Sequence, residues 1–148
     1  MLTEDSIEID APAELVWKVF SDVERWPEWT ESVTSLVGRD GADLAVGKRF
    51  SIKQPGMSKL VWKVTEIDHG SSWTWVQRSP GAHTSARHDV IAQPDGRTLV
   101  RQQLHQRGPL GVLVGRLMAG KTRRFLELEA QGLKTRAEQL HRTSDSSA

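Results

Sequence analysis

His88 and Gln102 are the two side chains best placed to give this chain chemistry, and both lie on one expected hairpin. Imidazole is the only side chain whose unperturbed pKa lies near neutrality, so an inward His88 would serve as a general acid or base. Gln102 offers both a donor and an acceptor. Whether they share a face depends on the turn at Pro94-Asp95-Gly96. A three-residue loop with Gly96 left-handed pairs Gln93 with Arg97 and sets His88 opposite Gln102, on the face of Val90 and Val100. A two-residue Asp95-Gly96 turn would set His88 opposite Gln103 and break the apolar agreement, so the first register is preferred. Burying either group without a partner costs about 1 to 3 kcal/mol, which invites a functional reason. The ordinary alternative for His88 is a hydrogen-bonded core or pocket histidine.

Other chemistries are poorly supplied. The 148 residues include no cysteine and no tyrosine, which removes disulfides, thiolates and phenol acids or bases. His69 sits in a turn, His83 near a strand start, His105 on the expected outer face and His141 in the last turn, so metal-ligand spacing is lacking and no metal or cofactor is expected. Asp89 points away from its neighbour His88 in a strand, so a His-Asp relay fails on geometry. Serine and threonine occur without a nucleophile-elbow motif. Twenty basic residues against 19 acidic ones give a net charge of +1, which argues against a nucleic-acid partner. The start, Met1 to Ser6, is acidic, and no apolar run reaches about 18 residues, so a cytoplasmic protein without stable membrane insertion is expected.

Six tryptophans are the strongest compositional feature. Indoles bring large apolar contact and one N–H donor each, which suits a ligand pocket as well as a core. Trp17, Trp26 and Trp29 are assigned to packing of the short helices, whereas Trp62, Trp73 and Trp75 fall on strands that face the interior. Arg116, Lys121, Arg123 and Arg124 form a basic cluster that would meet an acidic head group or an anionic membrane surface, although such clusters are usually solubilising.

The elements that must position these groups follow from periodicity. Ile7 and Ile9 alternate with Glu8 and Asp10 as in a half-buried strand. Pro12 fits a first helical position, and Leu15, Val16, Val19 and Phe20 recur at helical spacing to Ser21-Asp22. Trp26-Pro27-Glu28-Trp29 permits a second short helix or turn. From about Ser32 to Gln106, reversals at Arg39-Asp40-Gly41, Gln54-Pro55-Gly56, Asp68-His69-Gly70, Ser79-Pro80-Gly81 and Pro94-Asp95-Gly96 separate six strands. Leu60, Trp62, Val64, Trp73, Trp75, Val100 and Leu104 are assigned to the core face, and Lys63, Thr74 and Arg101 to water. After Gly108-Pro109 a helical stripe of Leu110, Leu113, Val114, Leu117, Met118, Phe125 and Leu128 predicts one long helix, whose Gly111, Gly115 and Gly120 bend its first half. Residues 1–141 are expected to form a single domain, and 142–148 a disordered tail.

One helix cannot cover so long a sheet unless the sheet curls around it, and that leaves a void. The predicted fold is therefore α+β, a curved antiparallel sheet of about seven strands wrapped around a long C-terminal helix, with two short helices after the first strand. The order of elements, Ile7 through Trp17, Asp22 through Trp29, Trp62 through Ile67 and Gly108 through Gly111 resemble the START-like, or SRPBCC, superfamily of helix-grip domains. Within it they resemble the polyketide cyclase/dehydrase and lipid-transport group, over roughly residues 4 to 140. The resemblance implies a cavity between sheet and last helix, and does not settle function.

The resulting expectation is binding of a hydrophobic or aromatic small molecule, lipid-like, polyketide-like or isoprenoid-like. The expected lining is Trp62, Val64, Trp73, Trp75, His88, Val90, Val100 and Gln102 from the sheet, with Leu113, Leu117, Met118 and Phe125 from the helix. The first alternative is a cyclase or dehydratase in which His88 moves a proton, and the second is an interaction module with a collapsed cavity. The expected partner is an apolar small molecule, in a monomer or weak homodimer.

Overall fold

The computed structural model describes residues 1–146. In chain order the elements are β1 (Leu2–Ile9), α1 (Ala13–Ser21), a 3-10 segment (Val23–Glu28), β2 (Ser35–Gly38), β3 (Arg49–Lys53), β4 (Leu60–Asp68), β5 (Ser72–Ser79), β6 (Ala82–Ala92), β7 (Thr98–Arg107), α2 (Pro109–Leu117) and α3 (Ala119–Ser146). The strands form one antiparallel sheet in the order β1-β7-β6-β5-β4-β3-β2. The fold is thus the α+β helix-grip arrangement, in which each strand from β2 to β7 pairs with its sequence neighbour and β1 closes onto β7. Pro12 caps α1 instead of opening it, and the Trp26-Pro27 segment is a 3-10 turn because proline removes the donor an α-helix would need.

Turn chemistry fixes the hairpin that matters most. Gly96 has φ 85, a left-handed conformation open to glycine at little cost, and Gln93 N–H donates to the Arg97 carbonyl at 2.8 Å. The register that follows sets His88 opposite Gln102 and Val90 opposite Val100. Inward residues of β4 to β7 then meet α1 and the 3-10 segment in a core containing Phe20, Trp26, Phe50, Val64, Trp73, Val90 and Val100. Trp26 donates its indole N–H to the Phe20 carbonyl at 2.8 Å, so this buried donor is satisfied.

The helical region departs from the expected single rod. α2 ends at Leu117, and the capping residue Met118, with φ of −106 and ψ of 16, turns the chain into α3. The residues of α2 that are buried are Gly111 and Gly115, not its leucines. A Cβ on Gly111 would touch Ala82 at 3.5 Å, and one on Gly115 would lie 2.6 Å from Gln106 Oε1, so the helix rests on β6 and β7 through its own backbone. Leu110, Leu113, Val114 and Leu117 are consequently 49%, 52%, 44% and 76% exposed. The start of α2 is pinned by the Gly81 carbonyl, which accepts from Leu110 N–H at 3.0 Å and from Gly111 N–H at 3.3 Å.

α3 buries Leu126, Glu129, Ala130, Leu133 and Ala137 along one stripe. It approaches the 3-10 segment so closely that a Cβ on Gly132 would stand 1.9 Å from the Trp29 carbonyl oxygen. Lys134 and Glu138 tie the helix to β1 and its following turn, through the Glu8 carbonyl and the Asp10 amide. α3 continues to Ser146 through most of the expected tail, and residues 147–148, its end, lie outside the described residues.

Candidate ligand-binding site

Between the inner face of the sheet and the two C-terminal helices lies a cavity of about 390 Å³. Its inner end is bordered by Trp26, Val33, Trp75, His88, Gln102 and Glu129, and its walls by Ile52, Leu60, Trp62, Ala86, Leu104, Phe125 and Leu126. The outer end is bordered by Ser79, Pro80, Leu110 and Val114, all exposed, so the cavity opens beneath α2. Gln54, Gln77, Thr84, Arg87, Gln103, Gln106 and Thr122 also border it, within a lining that is mostly apolar.

Of the residues expected to line a site, Trp62, Trp75, His88, Gln102 and Phe125 border this cavity. Val64, Trp73, Val90 and Val100 point to the same side of the sheet but are packed into the core, 0 to 4% exposed, and do not reach the cavity. Leu113 and Leu117 face outward and Met118 sits at the helix break, because the glycine side of α2 is the side that packs. Trp26, assigned from sequence to packing, does that and more: it stacks on Phe20 at 5.5 Å and borders the cavity. Arg116, Arg123 and Arg124 are exposed and lie off the cavity lining.

His88 is 3% exposed and stacks on Trp73, ring centroids 4.1 Å apart and 11° from parallel. Its Nδ1–H donates to the Trp73 carbonyl at 3.3 Å. Burial among Phe20, Trp26, Trp73 and Trp75 disfavours the imidazolium and pushes the pKa down to about 3, with the carbonyl bond opposing only part of that shift. The ring is neutral at ordinary pH and a weak base. Asp89, its sequence neighbour, lies on the other face and pairs with Arg87 at 3.0 Å and Arg101 at 3.3 Å.

The residue that sequence reasoning missed is Glu129. It is 7% exposed, accepts from Gln102 Nε2 at 2.5 Å, and accepts a longer bond of 3.5 Å from Ser32 Oγ. Ser32 in turn shares a 2.8 Å bond with Thr30. Burial raises the carboxyl pKa from 4.5 to about 7, against the pull of those two hydrogen bonds and with a smaller push from Asp5. No cation faces this carboxyl in the described ion pairs, so proton uptake is its way of shedding charge. The signal was available: Glu129 falls on the helical stripe of Leu126, Ala130, Leu133 and Ala137.

A curved sheet gripping a helix around an apolar cavity with a small polar floor defines a START-like ligand-binding fold. Residues 2–138 match the family described as polyketide cyclase / dehydrase and lipid transport, and the chain belongs to that family. The same architecture recurs in a hypothetical protein of Helicobacter pylori, 13% identical with TM-score 0.78 over 93% of this chain and 88% of that one. A START superfamily protein from Mycobacterium smegmatis is 21% identical, with TM-score 0.68 over 94% of this chain and 98% of that one. The di-domain ARO/CYC BexL of the BE-7585A biosynthetic pathway is 20% identical, with TM-score 0.68; the match spans 91% of this chain and 45% of that chain. At these identities the likeness is one of fold. Among the described residues no helix is long and apolar enough to cross a membrane.

Proposed function

We propose that this protein binds a hydrophobic or aromatic small molecule, lipid-like, polyketide-like or isoprenoid-like, in the cavity between sheet and C-terminal helices. The observation that carries the reading is the void itself. About 390 Å³ stays open beside Trp62, Trp75, Leu60 and Phe125, in an interior that elsewhere packs its aromatic rings in contact. Removing a ligand's apolar surface from water at about 25 cal/mol per Å² supplies the affinity, and the walls need supply little else. Family membership supports a hydrophobic ligand and leaves its identity open.

The cyclase or dehydratase alternative with His88 as proton carrier is less well supported, because a ring with a pKa of about 3 is a weak acceptor near pH 7. The interaction-module alternative needs a collapsed interior, which the cavity opposes.

The test is titration with the neutral probe N-phenylnaphthylamine, followed by competition with long-chain alcohols, flat polycyclic aromatics and isoprenoids, read through indole emission. Saturable quenching that competitors reverse is the expected result. Absence of any response across the panel would overturn the reading.

A further inference from the structure

The floor of the cavity is rich in acceptors and short of donors. Glu129 receives the Gln102 amide N–H and the longer Ser32 bond, which leaves carboxyl lone pairs unfilled. Gln102 Oε1 is buried with no partner, although Gln102 is only 3% exposed. Both residues border the cavity, from β7 on one side and α3 on the other. Both Glu129 oxygens are hydrogen-bonded, whereas Gln102 Oε1 is a buried polar atom without a partner, which is costly, on a residue that borders the place a ligand would fill.

We propose that Gln102 and Glu129 form a docking point for the hydroxyl group, alcohol or phenol, of an otherwise apolar and uncharged ligand. This rests on the cavity being a binding site and says which molecules it prefers. The ligand hydroxyl donates to Gln102 Oε1 or to the free carboxyl lone pair. When Glu129 is protonated and its own O–H is turned to the glutamine carbonyl, the ligand oxygen accepts from the amide. A hydroxyl fits both arrangements, since it donates and accepts. A hydrocarbon leaves Gln102 Oε1 unsatisfied, and a carboxylate brings a second negative charge beside Glu129, which no cation meets among the described ion pairs. The site therefore sorts ligands of similar shape by their polar end: hydroxyl first, hydrocarbon next, carboxylate last.

Calorimetric titration of the full chain with naphthalene, 2-naphthol and 2-naphthoate at pH 8 tests this, because the three share one ring system and only the naphthoate is charged there. Wild type is expected to bind 2-naphthol at least tenfold more tightly than naphthalene, and 2-naphthoate least. In Gln102→Leu the ratio of naphthol to naphthalene affinity falls toward one. In Glu129→Gln, which keeps the shape and removes the charge, naphthoate gains at least tenfold relative to naphthalene. Circular dichroism confirms that each variant is folded, and either variant alone suffices if the other is not. Equal wild-type affinity for naphthalene and 2-naphthol, or tightest binding of the naphthoate, overturns the docking point while leaving the cavity as an apolar site. Failure of all three probes to bind overturns both.

Discussion

Replacing Glu129 by glutamine is expected to reshape the pH dependence of stability, and the sign can be worked out group by group. Glu129 holds its proton more firmly in the folded chain than in the unfolded one, with a pKa raised from 4.5 to about 7. Its stabilising contribution is complete below pH 4.5 and is lost as the pH rises through about 7. At about 1.4 kcal/mol per pH unit this loss totals about 3 kcal/mol. His88 acts in the opposite sense. Its pKa falls from 6.5 to about 3, so its contribution is complete above pH 6.5 and is lost as the pH falls toward 3, about 5 kcal/mol in all. Between pH 4.5 and 6.5 the slopes of these two groups oppose each other and nearly cancel in their sum. Glu129→Gln removes one slope, so its stability climbs by about 3 kcal/mol across that window. His88→Phe, which keeps a ring against Trp73, removes the other and lets stability fall by a similar amount. The assay is urea unfolding followed by indole emission at half-unit steps of pH. Asp5, whose charge reaches Glu129, is present in every protein compared and largely cancels in the difference curves. A difference between wild type and Glu129→Gln that stays constant from pH 4.5 to 7 would refute the reasoning.

Four further variants probe the scaffold by urea or thermal unfolding. Gly132→Ala should cost about 3 kcal/mol, because its methyl meets the rigid Trp29 carbonyl, whereas Gly120→Ala, with nothing within 4 Å, should gain about 0.5 to 1 kcal/mol; equal effects would mean that α3 does not approach the 3-10 segment. Thr98→Val deletes a fully buried hydroxyl that donates to the Ala11 carbonyl at 2.7 Å, and should cost about 1 to 2 kcal/mol; no loss would place that hydroxyl in water. Leu113→Glu with Leu117→Glu should change stability by less than about 0.5 kcal/mol, and a large loss would restore these leucines to the interior.

How much of this was legible in the sequence depended on which residues carried the signal. The hairpin register was legible because Gly96 selects a loop and the match of Val90 with Val100 selects a face. The strand breaks were legible for the same reason, since Gly41, Gly56, Gly70 and Gly81 all adopt positive φ. α2 read backwards. Periodicity takes bulky apolar groups as the buried side, but here Gly111 and Gly115 allow the backbone to lie on Ala82 and Gln106, and the leucines are left outside. Glu129 is hard to single out because a carboxylate on a charged helix is ordinarily solvated. Strand parity also says which face a residue takes and not what covers it. Trp73 and Trp75 alternate correctly, yet only Trp75 borders the cavity, since α1 and the 3-10 segment cover Trp73 with Trp17, Phe20 and Trp26.

All six indoles belong to one chain of ring contacts. Trp17 meets Trp73 at 5.8 Å, Trp73 meets Trp75 at 5.8 Å, Trp75 meets Trp62 at 6.2 Å and Trp26 at 5.7 Å, and Trp26 meets Trp29 at 5.4 Å. At such separations the transition dipoles couple, and excitation absorbed by one ring migrates among the others before it is emitted. With no tyrosine present, the near-ultraviolet spectrum belongs almost wholly to this coupled set. The six rings are therefore expected to act optically as a single antenna, in which an acceptor lodged beside Trp75 drains light collected at Trp17, two ring contacts away.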